Sequence, residues 1–159
     1  MPLALPVDED KPGVSMPPPL YFVLPLLVLL GVEWFAPTRT LPRPWSWLFG
    51  ISFVVLGIVL NMAGAMTQRR AGTDFLPDHP STKIVSTGVY SWTRNPMYLG
   101  FALITAGLAL LANSWWALAA VPVGAILVQT QVIVREERYL ERKFGAEYVN
   151  YKTRVRSWL

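Results

Sequence analysis

The chain has 159 residues, of which 53% are hydrophobic and only 15% are charged, and its mean hydropathy is positive. A soluble domain needs more surface charge than this, so the composition predicts one domain that lipid solvates in part. The absence of cysteine excludes disulfides and thiolate chemistry, and the single histidine excludes a metal site of clustered histidines. These counts leave a carboxylate site for Mg²⁺ open, but we assign no metal site.

Residues 1–19 contain six prolines together with the acidic run Asp8, Glu9 and Asp10. They lack the basic start and the apolar run of a secretory signal. A proline-rich, acidic segment of this kind buries too little apolar surface to fold by itself, so we interpret it as a flexible leader.

Four apolar segments follow the leader, at 20–36, 45–66, 96–112 and 115–135. The last two come from one uncharged stretch, 97–134, which is too long for a single span and contains the turn signal Asn113-Ser114. The pattern predicts an all-α integral membrane protein of about four transmembrane helices. These helices form one domain over 20–159, which ends in a C-terminal cytoplasmic helical segment.

Lysine and arginine predict the orientation of these spans. With four spans, both termini and the 67–95 connection lie on the same side of the bilayer, and that side holds twelve of the 14 basic residues. Arg39 and Arg43 alone lie on the other side. The bias predicts that both termini are cytoplasmic, in what we take to be a bacterial inner membrane. Because the basic residues flank spans, the bilayer is the expected partner and nucleic acid is not.

The third span begins with a recognisable helix start. Asn95 is a favoured N-cap residue and Pro96 is favoured at the first helical position, so we expect a helix whose positive dipole end faces the cytoplasm. Tyr90, Trp92 and Tyr98 surround this start. Their rings could hold an adenine or a sulfonium, or they could simply form the aromatic belt of the membrane interface.

Acidic residues occur at two places along the spans. Glu136 and Glu137 follow Arg135 at the end of the fourth span, where they form either a binding cluster or a solvated helix end. Glu33 lies inside the first span, near Pro37. An acid in a span indicates cation transport, but its closeness to the span's end favours a side chain that reaches the interface.

Four short segments in the C-terminal half of the chain form a specific combined pattern. They are TGVY at 87–90, RNPMYLG at 94–100, REE at 135–137 with Leu140, and FGAEY at 144–148 followed by Tyr151 and Val155. In order and spacing the chain resembles the isoprenylcysteine carboxyl methyltransferase and phospholipid methyltransferase superfamily from about residue 72 to its end. The first two spans match that superfamily only in hydrophobic character.

The resemblance implies a pocket for S-adenosylmethionine between the 67–95 connection, the start of the third helix and the end of the fourth. The residues that it assigns to cofactor binding are Ile84, Val85, Tyr90, Trp92, Asn95, Pro96, Tyr98 and Glu137. Arg135 and Glu136 would lie at the reacting centre as the catalytic pair. The segment around Tyr148 and Tyr151 would cover the pocket.

The activity implied by the resemblance is methyl transfer to a lipophilic or membrane-associated carboxylate, amine or thiol, with S-adenosylhomocysteine as the product. One residue departs from the pattern, because the isoprenylcysteine enzymes have histidine where this chain has Asn95. Asparagine keeps a hydrogen bond but cannot take up a proton at neutral pH, so a prenylcysteine substrate is less strongly indicated.

Three other functions stay open from the sequence. Four spans with Glu33 fit a small membrane transporter, which would lose transport on Glu33→Gln and would not bind S-adenosylmethionine. Sterol-reductase-like membrane enzymes share a similar C-terminal design, and a relative of these would bind NADPH. A non-enzymatic membrane subunit would bind neither ligand.

Overall fold

The computed structural model describes residues 13–73 and 81–159, and in these ranges the chain folds into helices with no β-strand. This confirms the all-α class. The helices are α1 (Leu20–Phe35), α2 (Arg43–Arg70), α3 (Pro96–Ala112), α4 (Trp115–Val128), α5 (Val134–Phe144) and α6 (Ala146–Arg154). A 3₁₀ turn, Gly88–Ser91, precedes α3, and a π-helical turn, Gln129–Ile133, joins α4 to α5 in one continuous helix.

Two of these helical stretches are long and apolar enough to cross a membrane, namely α2 and the continuous helix Trp115–Phe144. Helices α1 and α3 are apolar too, but they have only 16 and 17 residues. Their lengths follow from local sequence, since α1 stops before Pro37 and α3 begins at Pro96 and ends before Asn113, which is left-handed with φ 59°. The structure thus supports the predicted membrane character with two candidate membrane helices.

Helix α2 buries its small residues and exposes its large ones. Its buried residues are Ser46, Gly50, Gly57 and Gly64, whereas its exposed residues include Leu48, Ile51, Val55, Val59 and Met62. A helix of a soluble protein has the opposite arrangement, because water drives large apolar side chains into the core. This pattern is typical of a helix whose outer face contacts lipid.

Glycines bring α2 and α3 into close antiparallel contact. Gly50 lies against Gly107, and Gly57 lies against Gly100. A Cβ atom added to Gly57 would lie 2.6 Å from the carbonyl oxygen of Gly100, and one added to Gly107 would lie 2.7 Å from that of Gly50. Real Cβ atoms do not approach oxygen so closely, so the two backbones pack at a distance that only glycine permits.

A second packing region joins α1, α3 and the long helix. Its buried members are Tyr21, Phe22, Tyr98, Val128, Val132 and Ile133, and Val14 and Trp158 pack against them. Most of the predicted flexible leader, residues 1–12, lies outside the described residues. Its described end, 13–19, lies at the end of the bundle where α3 begins, because Pro18 and Pro19 line a cavity with Pro96.

At the opposite end of the bundle, Glu33 organises the α1–α2 connection. Its carboxylate accepts hydrogen bonds from the backbone N–H and the hydroxyl of Thr38 and from the hydroxyl of Ser114. Ser114 also caps α4, since its Oγ accepts from the N–H of Ala117 at 3.0 Å. The predicted turn at Asn113-Ser114 is therefore confirmed, and Glu33 is bound to the loop that links two helix ends.

We predict that Gly57→Ala lowers the free energy of unfolding by about 1–3 kcal/mol, because the added methyl group forces α2 away from α3. Gly31→Ala is the matched control, because Gly31 lies in α1 with no atom within 4 Å of an added Cβ. That change is expected to be neutral or stabilising by up to about 1 kcal/mol. Thermal unfolding in detergent tests both variants, and equal midpoints would contradict the close α2–α3 contact.

Candidate functional site

Two cavities lie at the end of the bundle where α2 finishes and α3 begins. The larger, of about 180 Å³, is lined by Pro18, Pro19, Gln68, Tyr90, Asn95, Pro96, Met97, Tyr98, Phe101 and Glu136. The smaller, of about 90 Å³, is lined by Gln68, Thr73, Ser81, Lys83, Ile84, Val85, Tyr90, Leu140, Tyr148 and Tyr151. Gln68 and Tyr90 belong to both linings, so these two side chains form the wall between the cavities.

The larger cavity is mainly apolar with a polar group at its edge. Met97 and Phe101 lie one turn apart on α3 and contribute apolar surface. The buried Tyr98 donates its hydroxyl to Glu136 Oε1 at 2.8 Å. Since no lysine or arginine is among the residues that line this cavity, the carboxyl group of Glu136 is the one acidic or basic side chain of that lining.

The smaller cavity lies between the 81–85 segment and α6. Ile84 and Val85 contribute apolar surface from the segment, and Tyr148 and Tyr151 contribute aromatic surface from α6. The Tyr151 hydroxyl donates to the backbone oxygen of Tyr90 at 2.7 Å, which ties α6 to the 3₁₀ turn. The cavity is therefore closed on one side by the C-terminal helix.

The tyrosines of the site stay neutral at physiological pH. Burial raises the pKa of Tyr90 well above its usual value, although a hydrogen bond from Gln68 Nε2 to its hydroxyl at 2.5 Å acts in the opposite direction. Burial raises the pKa of Tyr151 to about 12 and that of Tyr148 further still. Because deprotonation is disfavoured, these hydroxyls act as neutral hydrogen-bond donors and acceptors.

Beside the cavities, Arg94 and Glu137 form a largely buried ion pair. Arg94 Nη2 lies 2.6 Å from Glu137 Oε1, and the two side chains are 9% and 15% exposed. Lys152 Nζ reaches Glu137 Oε2 at 3.1 Å and Glu141 Oε1 at 2.7 Å. The hydrogen bonds from Lys152 to Glu141 and Glu137 raise the pKa of this lysine, so it stays cationic and links α5 to α6.

The structure brings most of the predicted site residues to the two cavities. Ile84 and Val85 line the smaller cavity, Tyr90 lines both, and the larger one is lined by Asn95, Pro96, Tyr98 and Glu136. Glu137 lies in the adjacent ion-pair network. Tyr148 and Tyr151, which were expected to cover the pocket, line the smaller cavity.

Trp92 and Arg135 are not among the residues that line either cavity. Trp92 is 81% exposed. Arg135 is exposed and donates to the backbone oxygen of Gly13 at 2.8 Å. Consecutive residues of a helix point about 100° apart, so the turn that directs Glu136 inward carries Arg135 to another face.

Asn95 is the N-cap residue of α3, as predicted, but its side chain makes no capping hydrogen bond to the helix. The amide Nδ2 instead donates to the backbone oxygen of Ser157 at 2.9 Å and to its Oγ at 3.0 Å. A partner 62 residues away along the chain cannot be foreseen from a local pattern. The predicted start of α3 at Pro96 is confirmed.

Sequence reasoning missed the residues that complete the cavities. Gln68 ends an apolar run beside Arg69-Arg70, which is typical of an ordinary span end. Met97 and Phe101 belong to an apolar helix and carry no individual signal. Their spacing of four residues places them on one helix face, but only the packing shows that this face borders a cavity.

The fold and the site define a small helical protein of membrane character with two neighbouring cavities at one end of its bundle. Comparison with known sequences identifies the group to which it belongs. The chain is a member of the phospholipid methyltransferase family, whose model matches residues 45–147. This confirms the superfamily resemblance seen in the sequence motifs.

Several curated proteins are similar to the chain. Protein-S-isoprenylcysteine O-methyltransferase B of Arabidopsis thaliana is 34% identical over 117 residues, which cover 71% of the chain and 58% of that protein. Protein-S-isoprenylcysteine O-methyltransferase of Saccharomyces cerevisiae is 34% identical over 113 residues, 68% of the chain and 46% of that protein. The chain thus spans about half the length of these two relatives.

A shorter relative covers part of the chain. An uncharacterized protein of Haemophilus influenzae is 41% identical over 63 residues, which are 40% of the chain and 100% of that protein. No solved structure gives a significant match to the chain.

The ion-pair network leads to a stability prediction. We expect Arg94→Lys to lower the free energy of unfolding by about 1–3 kcal/mol, because lysine keeps the charge but not the planar group that also bonds the backbone oxygens of Lys152 and Val155. Arg138→Lys is the control, because Arg138 is exposed on α5. Chemical unfolding in detergent compares them, and equal losses would show that the Arg94 geometry does not matter.

Proposed function

We propose that the chain catalyses methyl transfer from S-adenosylmethionine to a lipophilic or membrane-associated acceptor that carries a carboxylate, amine or thiol. The observation that carries the proposal is the wall shared by the two cavities. One cavity is lined by loop and C-terminal tyrosines and the other largely by apolar helix surface, and Gln68 and Tyr90 border both. A water-soluble donor and a greasy acceptor would approach one another across this wall, as in-line transfer requires.

The side chains around the smaller cavity fit the methyl donor chemically. S-adenosylmethionine, when bound, supplies a methyl group on a positively charged sulfur and carries an adenine ring. Tyr90, Tyr148 and Tyr151 offer aromatic faces for stacking and for cation–π attraction. Ile84 and Val85 add apolar surface for the nucleoside. We assign these five residues to donor binding, with Trp92 outside the set because its ring is exposed.

The larger cavity fits the acceptor. Pro18, Met97 and Phe101 provide a surface for an apolar group. Glu136, held by the Tyr98 hydroxyl, is the carboxylate that faces the cavity, so we assign to it the electrostatic role at the reacting centre. Its negative charge favours a nearby sulfonium. Arg135, expected as its catalytic partner, would act from the membrane surface.

We infer that all four apolar helices cross the bilayer of a bacterial inner membrane with both termini in the cytoplasm. The outward face of α1 supports this, since Leu24, Leu27 and Val28 are exposed although they are large and apolar. The short α1 and α3 would require local thinning of a hydrocarbon core about 30 Å thick. In this orientation the two cavities open at the cytoplasmic end.

The transporter hypothesis is less well supported by the geometry. Glu33 is hydrogen-bonded by Thr38 and Ser114 at the end of the bundle opposite to the two cavities. A carboxylate that holds a loop in this way has a structural role that accounts for its position. An NADPH-dependent reductase or a non-enzymatic subunit remains distinguishable from a methyltransferase by ligand binding alone.

Binding of the methyl donor tests the proposal. We expect the purified full chain to bind S-adenosylmethionine and S-adenosylhomocysteine in isothermal titration calorimetry. Glu136→Gln should weaken binding of the sulfonium donor about tenfold, or about 1.4 kcal/mol, and that of the product, which has a neutral thioether in place of the sulfonium, less. The reason is that glutamine keeps the hydrogen bond from Tyr98 but removes the charge that favours a sulfonium.

Glu33→Gln is the matched control, because it makes the same change at the other end of the bundle. It should leave both affinities unaltered. Binding of NADPH in place of the methyl donor, or an equal effect of the two substitutions, would contradict the proposed site.

The acceptor cavity leads to a separate prediction. Phe101→Trp should reduce methyl transfer several-fold, because the larger ring fills space beside Met97, while the affinity for S-adenosylhomocysteine stays the same. The measurement is transfer of a labelled methyl group into the organic phase when the protein is reconstituted with bacterial membrane lipids. Phe53→Trp on the exposed face of α2 is the control. Unchanged transfer by Phe101→Trp would show that the acceptor binds elsewhere.

A further inference from the structure

Three consecutive residues before α3 hold the last residues of the chain. Thr93 Oγ1 donates to the backbone oxygen of Ser157 at 3.0 Å, and the Arg94 N–H donates to that of Arg156 at 2.9 Å. Asn95 Nδ2 donates to both the backbone oxygen and the hydroxyl of Ser157. All of these acceptors lie beyond Arg154, where α6 ends. The segment 155–158 is therefore fixed by side chains and backbone from a distant part of the chain.

The guanidinium of Arg94 extends the same attachment into α6. Its Nη1 donates to the backbone oxygens of Lys152 at 2.9 Å and Val155 at 2.6 Å. On the other side of the segment, Trp158 Nε1 donates to Gln129 Oε1 at 2.8 Å, within the π-helical turn. Chain ends fray unless such bonds fix them. Here the end is bonded from both sides.

Asn95 uses both of its N–H donors in this attachment. The amide has two donors, and both go to Ser157. Although Asn95 lines the larger cavity, its side chain has no donor left for a ligand there. The amide nitrogen of Asn95 therefore acts through Ser157, on the position of the C-terminal segment.

The position of that segment matters because α6 precedes it directly. Tyr148 and Tyr151 of α6 form one side of the smaller cavity, which has a volume of about 90 Å³. Pockets for drug-sized ligands are typically about 300–1,000 Å³, so the lining of this cavity must open for a nucleoside to enter, and α6 forms one side of that lining. The bonds from residues 93–95 hold the segment that follows α6, and they add to the bonds that Tyr151 and Lys152 of α6 make themselves.

We propose that Asn95 is a positioning residue and that it forms a latch with Ser157, which holds α6 against the smaller cavity. Thr93 and Arg94 complete the latch. The relevance of the latch to methyl transfer rests on the proposed function, because it assumes that the donor occupies the smaller cavity. The latch itself is a property of the chain without any ligand.

Hydrogen–deuterium exchange of the full chain, purified in detergent without ligand, tests the latch. Asn95→Ala should speed exchange of peptides from 146–159 about tenfold, because α6 and the tail then open more often, while peptides of α2 stay unchanged. Asn95→Asp should have the same effect, since it keeps the size of the side chain but replaces the donor with an acceptor facing the Ser157 oxygens. A packing role alone would leave the Asp variant like the wild type.

Two further variants keep the test decisive. Thr93→Val removes one bond of the latch with little change in shape. It should accelerate exchange of the same peptides, and it replaces Asn95→Ala in the test if that variant does not fold. Ser91→Ala is the control, because the Ser91 hydroxyl bonds only locally, to the Gly88 oxygen, and it should change nothing in 146–159. Unaltered exchange in Asn95→Asp and Thr93→Val would overturn the latch.

The outcome separates this inference from the proposed function. If the wild type does not bind S-adenosylmethionine but exchange rises as expected, the latch stands and the proposed function fails. If the wild type binds the donor while exchange does not change in the variants, the proposed function stands and the latch fails. If the proposed function and the latch both hold, Asn95→Ala should raise the KM for the methyl donor more than it lowers kcat, because it changes how α6 closes.

Discussion

The close approach of α2 and α3 is the constraint on which the rest of the structure depends. A chain whose outer surface contacts lipid gains little by burying large apolar side chains, so its helices associate through van der Waals contact between backbones. Gly57 and Gly100 allow that contact. The same contact fixes the end of α2 against the start of α3, which places Gln68 beside Tyr90 and creates the wall between the two cavities.

A second constraint is electrostatic and lies at the cytoplasmic end in our proposed orientation. Arg94 is largely buried, and a buried guanidinium is tolerated only with partners. Glu137 supplies the opposite charge, and the backbone oxygens of Lys152 and Val155 take two further hydrogen bonds. This one side chain therefore connects the start of α3, helix α5 and helix α6, which are the three elements that surround the proposed donor site. Membership of the phospholipid methyltransferase family and the physical layout of the site lead to the same proposal.

Much of the fold could be predicted because it depends on local composition. Apolar runs indicated the positions of the four apolar helices, Asn113-Ser114 indicated the turn between the last two, and Pro96 indicated the start of α3. The lengths were harder to predict, since α1 and α3 are shorter than a typical span. Motifs at 87–90, 94–100 and 135–137 located most of the candidate site because they come from segments that meet at one end of the bundle.

The sequence by itself determined the helical class, the order of the helices and the region of the site, because hydropathy, proline and turn residues act within a few neighbouring positions. Only the tertiary structure decided which side chains face the cavities. Arg135 and Glu136 are adjacent in sequence, yet one is exposed and the other bonds Tyr98, after a π-helical turn that no local pattern announced. Asn95 likewise bonds Ser157 instead of capping its own helix. Such choices depend on partners more than 30 residues away, and these become neighbours only when the helices pack.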